Sequence, residues 1–231
     1  MNKIVLDRFR VIDLTHPLDE NVPTWNGSCG FKLEVKLDYP VRVQSLKSHA
    51  GVGTHIDAPT HFIKDSWSIA DIPLENLIVP VCVLNLTHKM DADYFVSPQD
   101  ILDFEKVHGR IADGKLVLAH TGWDQFWDSS LRYRNPDRDG KMHFPGFSAE
   151  TAAFLLKRNI VGLGIDTLSP DGSHNEKFPV HELILGAKKY ILENVANLKL
   201  MPPIGAYVVA LPPRACNATE SAARVIGLVS N

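Results

Sequence analysis

Gly51-Val-Gly-Thr-His-Ile-Asp-Ala-Pro-Thr-His-Phe62 sets His55, Asp57, Pro59 and His61 at every second position. In an extended backbone, residues two apart point to the same side, so His55, Asp57 and His61 are expected to face one point. Imidazole and carboxylate are the usual ligands of zinc, iron and manganese, and a basic side chain beside such an ion can move protons. Pro59 has no N–H and sits poorly in a central strand, so the segment reads as a strand running out into a rigid loop. Gly51 and Gly53 allow backbone conformations closed to other residues. A purely structural turn would also use them, and a lone His-x-Asp pair is compatible with a solvated loop.

The 231 residues are 45% hydrophobic and 22% charged, an ordinary globular composition able to bury a sizeable core. Such a length suits one large domain or two small ones. With no internal repeat or low-complexity stretch, it is read as a single domain over residues 1–231. A net charge of −3 and the lack of a Lys/Arg cluster argue against a nucleic-acid partner. Asp7, Arg8 and Arg10 interrupt the apolar run a signal peptide needs, and no stretch approaches the roughly 18 apolar residues that span a bilayer. A cytoplasmic protein with no membrane association is therefore expected. Cys29, Cys82 and Cys216 are widely spaced and form no CxxC pair, so neither a disulfide framework nor a thiolate zinc site is expected.

Periodicity sets the rest of the framework. Strands are expected at 10–15, 31–37, 41–46, 78–86, 115–119, 160–165, 190–193, 206–211 and 223–229, with 31–37 and 41–46 forming a half-buried hairpin across Tyr39-Pro40. Ser97, Pro98 and Asp100 announce a helix that stops at Gly109. Ser148 opens a second helix over 149–158, and 179–186 is a short third one. The segment 124–144, rich in charge and in aromatic residues, is long enough to be a flap or an oligomer contact. Early strands followed by strand–helix alternation indicate an α/β domain with a mixed sheet and helices packed outside. Trp25, Phe62 and Trp123 are candidates to stack on a flat substrate, although an aromatic in a loop such as that of Trp25 is more often a packing anchor.

His181 and Glu193 are twelve residues apart. On one continuous helix that spacing leaves them about 120° apart in azimuth, but a break after Gly186 allows both to reach one ion. The run Gly-Thr-His-Ile-Asp-Ala-Pro-Thr-His-Phe, with Ile-Asp-Leu-Thr-His-Pro near the start, Thr-Gly-Trp in the middle, Gly-Ile-Asp-Thr-Leu-Ser-Pro-Asp, and His181 followed by Glu193-Asn, resembles the cyclase family. That family of metal-dependent hydrolases contains bacterial kynurenine formamidase and isatin hydrolase. The resemblance covers nearly the whole chain. It implies a swivelling β/β/α fold and a homodimer or homotetramer. It also implies that His55, Asp57, His181 and Glu193 are metal ligands, with Asp57 able to bridge two ions and His61 the general acid/base.

One position departs from the resemblance. Two-zinc members usually carry another histidine four residues before His55, where this chain has Gly51. One firmly held divalent ion, zinc or manganese, is therefore expected, with a weak or absent second; His49 could substitute only if its loop rearranged. The expected chemistry is hydrolysis of an aryl-formamide or cyclic amide, N-formylkynurenine being the leading substrate. The rivals are an isatin-type ring-opening hydrolase and a non-catalytic metal-binding protein. Thr54, Ser169 and backbone N–H groups are the candidates to hold the developing oxyanion.

Overall fold

The computed structural model describes residues 8–89, 91–172 and 177–231. Its elements follow in the order β1 (Phe9–Asp13), β2 (Phe31–Leu37), β3 (Val43–Ser48), β4 (His55–Asp57), β5 (Ile78–Asn85), β6 (Phe95–Val96), α1 (Pro98–His108), β7 (Leu116–His120), α2 (Ser130–Arg134), β8 (Gly146–Phe147), α3 (Ala149–Leu156), β9 (Gly162–Ile165), α4 (Pro179–Gly186), β10 (Tyr190–Glu193), β11 (Ala206–Leu211), β12 (Glu220–Ala222) and β13 (Arg224–Ser230). Nine strands form one mixed sheet in the order β1-β13-β11-β5-β7-β9-β10-β4-β12. The centre, β5-β7-β9-β10, is parallel, and antiparallel strands extend it on both sides.

Alternation along the central strands explains why they are apolar throughout. Val81 and Val83 of β5 and Leu116 and Leu118 of β7 enter one core; Cys82 and Leu84, with Val117 and Ala119, enter the other. Strands buried on both faces read as continuous hydrophobic runs. The second core is covered by helices, which contribute Ile101 from α1, Leu155 from α3 and Ile184 from α4. The first core has sheet around it. Ile12 and Leu14 from one end of the strand order share it with Ile56 and Leu192 from the other. Ala223 alone separates β12 from β13, although the two lie near opposite ends of the sheet, so the sheet curls until its ends share a core.

Helix starts follow their caps. The Ser97 side chain accepts from the Asp100 N–H while Asp100 accepts from the Ser97 N–H, and Gly109 at φ +83° ends α1. Among the described residues no helix is long and apolar enough to cross a membrane. Part of the N-terminal stretch used above, residues 1–7, lies outside the described residues.

Three expectations need correction, and one strand was not anticipated. The β2–β3 hairpin is exposed rather than half-buried: Leu33, Val35 and Leu46 are each close to half exposed. The extended segment ends at Asp57, and Pro59–His61 form a 3₁₀ turn, so His61 does not continue the strand's alternation. The segment 124–144 is no free flap, because its Tyr133 is fully buried and donates its hydroxyl toward the Asp166 carbonyl at 2.8 Å. Glu220–Ala222, not assigned to a strand by periodicity, pairs with β4.

Candidate metal centre and substrate cavity

Strand register assembles the site. In β10, Glu193 lies opposite His55 of β4, and in β12, Glu220 lies opposite Asp57. Cross-strand partners share a face, and so do residues two apart. His55, Asp57, Glu193 and Glu220 therefore all project to the helix side, while Ile56 and Leu192 between them fill the other core. Above this face stands α4, whose third residue is His181.

The start of α4 is secured from a distance. Phe178, at its N-cap, offers no side-chain acceptor. Asp171 does so instead: its Oδ1 accepts from Val180 N at 2.7 Å, and its Oδ2 accepts from His181 N at 3.1 Å. The same Oδ2 accepts from His181 Nδ1 at 2.6 Å. Asp171 thus satisfies orphan N–H groups of a helix start and orients the imidazole in one arrangement. His55 is fixed in the matching way, its Nδ1 donating to the Gly53 carbonyl at 2.8 Å. That carbonyl also accepts from Asn194 Nδ2, so the residue after Glu193 is tied to the turn before His55.

With both Nδ1 atoms used as donors, both Nε2 atoms face inward. His55 Nε2 lies 3.4 Å from Asp57 Oδ1 and 3.3 Å from Glu193 Oε2; His181 Nε2 lies 3.5 Å from Asp57 Oδ2 and 3.3 Å from Glu193 Oε1. Each carboxylate spans both imidazoles. Burial disfavours charge on either imidazole, but the surrounding carboxylates outweigh it and hold both well above the ordinary histidine pKa. Burial likewise opposes ionisation of Asp57, and the two imidazoles overcome it and hold its pKa low. The cluster is therefore built around positive charge.

A divalent cation fits the donor set. Both Asp57 carboxylate oxygens are buried without a hydrogen-bond partner, which is costly for a carboxylate unless a cation or donor meets it. Neutral imidazole Nε2, held by a hydrogen bond at Nδ1, together with carboxylate is the usual donor combination for zinc or manganese. Ligand atoms lie within 4.8 Å of one another in two sets that share Asp57: with His61 and His181, and with His55 and Glu220.

These groups open on a cavity of about 250 Å³ lined on its other side by Trp25, Phe62, Phe178, Leu168 and Ser169. The Phe62 ring stacks on His181 at 4.7 Å between centroids, and Phe178 meets it edge-on at 5.9 Å. Phe178 occupies the left-handed region at φ +48°, a conformation that costs a bulky residue about 1–3 kcal/mol and that sets its ring over the cavity. His61 stands at the rim, with Nδ1 3.6 Å from Glu220 Oε2.

Of the residues singled out in the sequence, His55, Asp57, His61, His181, Glu193, Trp25, Phe62 and Ser169 all border this cavity. Trp123 does not. It is buried with Tyr133, Phe144 and Leu168 and donates its indole N–H to the Tyr133 carbonyl at 2.8 Å, so it supports the wall from behind. The Thr54 hydroxyl donates to the Asn194 carbonyl at 2.6 Å, which leaves it no hydrogen for an oxyanion. Among the described residues Ser169 Oγ only accepts, from Asp171 N at 3.2 Å, and its hydrogen is open for donation. His49 is exposed and absent from the cavity lining. Phe178, Glu220 and Asp171 were missed. Asp171 closes the motif Gly-Ile-Asp-Thr-Leu-Ser-Pro-Asp, the one signal that could have drawn attention to it.

Comparison with known proteins agrees with this geometry. Residues 12–172 match the family model described as putative cyclase. An isatin hydrolase from Roseibium aggregatum is 33% identical over 187 residues, covering 77% of this chain and 71% of that protein. A kynurenine formamidase from Polaromonas naphthalenivorans is 27% identical over 222 residues, covering 94% of this chain and 90% of that protein. Among solved structures, isatin hydrolase A from Labrenzia aggregata bound to benzyl benzoate superposes with a TM-score of 0.91 at 32% identity, covering 99% of this chain and 96% of that one.

Proposed function

The chain belongs to the cyclase family, and from that premise we propose that it is a metal-dependent hydrolase of a small aromatic amide, either an aryl-formamide or a cyclic aryl amide. The observation that carries the reading is the ring of His55, Asp57, His181 and Glu193 with unpartnered Asp57 oxygens, opening on an aromatic-walled cavity. On this reading the whole chain, residues 1–231, is one domain. Some combination of these four side chains holds one firmly bound divalent ion, zinc or manganese, with a second weak or absent.

When bound, such an ion polarises a carbonyl and lowers the pKa of water. The chain's own residues do the rest. Trp25, Phe62 and Phe178 hold the aromatic ring and exclude water around it. His61 takes the proton of the attacking water and returns it to the leaving nitrogen, with Glu220 Oε2 placed to face the imidazolium formed in between. Water adds to the carbonyl carbon and the C–N bond breaks. A formamide yields formate and an arylamine, whereas a cyclic amide opens to one product carrying both amine and carboxylate. Ser169 is the side chain left to donate to the developing oxyanion.

N-formylkynurenine represents the first substrate class and isatin the second. The isatin-type reading is favoured by the 33% identity and by the TM-scores of 0.91 and 0.92 to isatin hydrolases. Assembly into a homodimer or homotetramer is supported by the β2–β3 hairpin, which leaves Leu33, Val35, Leu37, Val43 and Leu46 about half exposed; contiguous apolar surface of this kind marks contact sites.

The test is turnover of N-formylkynurenine, formanilide and isatin with added zinc or manganese. Hydrolysis of any one supports the hydrolase reading and selects the substrate class. No turnover in any combination would leave a non-catalytic metal-binding protein.

A further inference from the structure

Gly51 borders the cavity, yet its backbone is not in the left-handed region that calls for glycine. What bars a side chain there is another residue. A Cβ on Gly51 would strike Glu220 Oε1 and would come within 3.1 Å of His55 Nε2. The volume a side chain at position 51 would occupy is filled by the Glu220 carboxylate.

Glu220 is placed there by register. It lies directly opposite Asp57, on the strand that flanks β4 away from β10. Its carboxylate, His55 and Asp57 each offer an atom within 4.8 Å of the other two. On the far side of Asp57 the imidazole of His181 plays the corresponding part. On the near side, β4 itself supplies only His55 and Asp57, and the flanking β12 brings Glu220 as a further donor beside them. The two Asp57 oxygens, buried and without a hydrogen-bond partner, are an observation independent of Glu220 that points to a cation beside them.

We propose that Glu220 is a metal ligand of this chain, joining His55 and Asp57 through the oxygen that faces Gly51, and that glycine at position 51 is what makes room for it. The second oxygen faces His61, so one carboxylate links ligand set and proton carrier. The proposal rests on the hydrolase reading only for the class of ion.

The experiment is titration of the metal-free protein with Mn(II), the free ion counted by electron paramagnetic resonance, and with Zn(II) against a chromophoric chelator. Glu220→Ala should weaken binding at least tenfold, and Gly51→His in the Glu220→Ala background should recover most of the loss, because an imidazole then enters the vacated space. Gly51→His alone should bind worse than wild type. Unfolding of each protein in chelator shows whether a variant has kept its fold. A Glu220→Ala protein that is folded and binds both ions as wild type does would overturn the proposal. So would a loss that Gly51→His cannot recover in that background, since a merely structural glutamate would behave that way. If Glu220→Ala weakens binding but no amide is hydrolysed by the wild type, the ligand assignment stands and the hydrolase reading falls.

Discussion

Asp171 offers the sharpest test of how the site is held together, through Asp171→Asn. Three N–H donors converge on its two oxygens: Val180 N on Oδ1, and His181 N and Nδ1 on Oδ2. Asparagine keeps only one acceptor oxygen, so in either amide orientation its NH₂ group faces a donor. Turned toward Val180, it leaves one buried N–H unmet, at about 1–3 kcal/mol. Turned toward His181, it forces Nδ1 to become an acceptor, and the ring hydrogen moves to Nε2. That hydrogen would point at Asp57 Oδ2 and Glu193 Oε1, which lie 3.5 and 3.3 Å away, and the lone pair for an ion is gone. Loss of such an orienting partner weakens metal binding about 10–100-fold, equivalent to about 1.4–2.7 kcal/mol. Competition against a chromophoric chelator measures this term, and urea unfolding in excess chelator measures the metal-free cost. An Asp171→Asn protein that matches wild type in both would refute the argument that Asp171 fixes the tautomer of His181.

Three further outcomes are expected. His61→Ala should lower kcat by about 10²–10⁴ with metal content unchanged; loss of the metal along with activity would move His61 into the ligand set. Phe178→Ala should raise KM for an aromatic substrate about 2–10-fold, the scale of one ring contact, with a smaller effect on kcat. His16 is buried, its ring stacks on Trp127 at 3.9 Å, and burial depresses its pKa from 6.5 to about 4. Its contribution to stability is complete above pH 6.5 and is lost as pH falls toward 4, because the unfolded chain takes up the proton first. Between pH 7.5 and 5 this amounts to about 2 kcal/mol. His16→Phe should lose less stability than wild type over that interval in urea unfolding, and equal losses would rule out His16 as the titrating group.

Much of the framework was legible because it rests on local signals. Helices α1 and α4 and strands β2, β10 and β11 occupy the expected residues, since caps, glycine stops and apolar runs are written into adjacent positions. His55 and Asp57 share a face for the reason their spacing suggests. His61 was legible as a member of the site but not by that geometry, for the chain turns into a 3₁₀ helix at Pro59 and delivers it from there. The hairpin β2–β3 shows the converse. Its alternation predicts a buried face, yet nothing among the described residues covers Leu33 or Leu46. Trp123 went the other way, an aromatic residue that closes a buried cluster instead of lining the cavity.

What sequence reading could not supply is pairing between distant strands. Gly51 and Glu220 are 169 positions apart; in the sequence Gly51 reads as a turn residue and as the place of an absent histidine, and Glu220 carries no signal of its own. Only the antiparallel register of β12 on β4 sets Glu220 opposite Asp57 and into the space above Gly51. The same holds for Asp171, which meets His181 from ten positions upstream. A missing side chain at one position and an added one at another can thus be a single change of ligand, visible only once the curled sheet has closed. The departure at Gly51 is for this reason no evidence against a metal centre, because the carboxylate that displaces a side chain there is itself a competent donor.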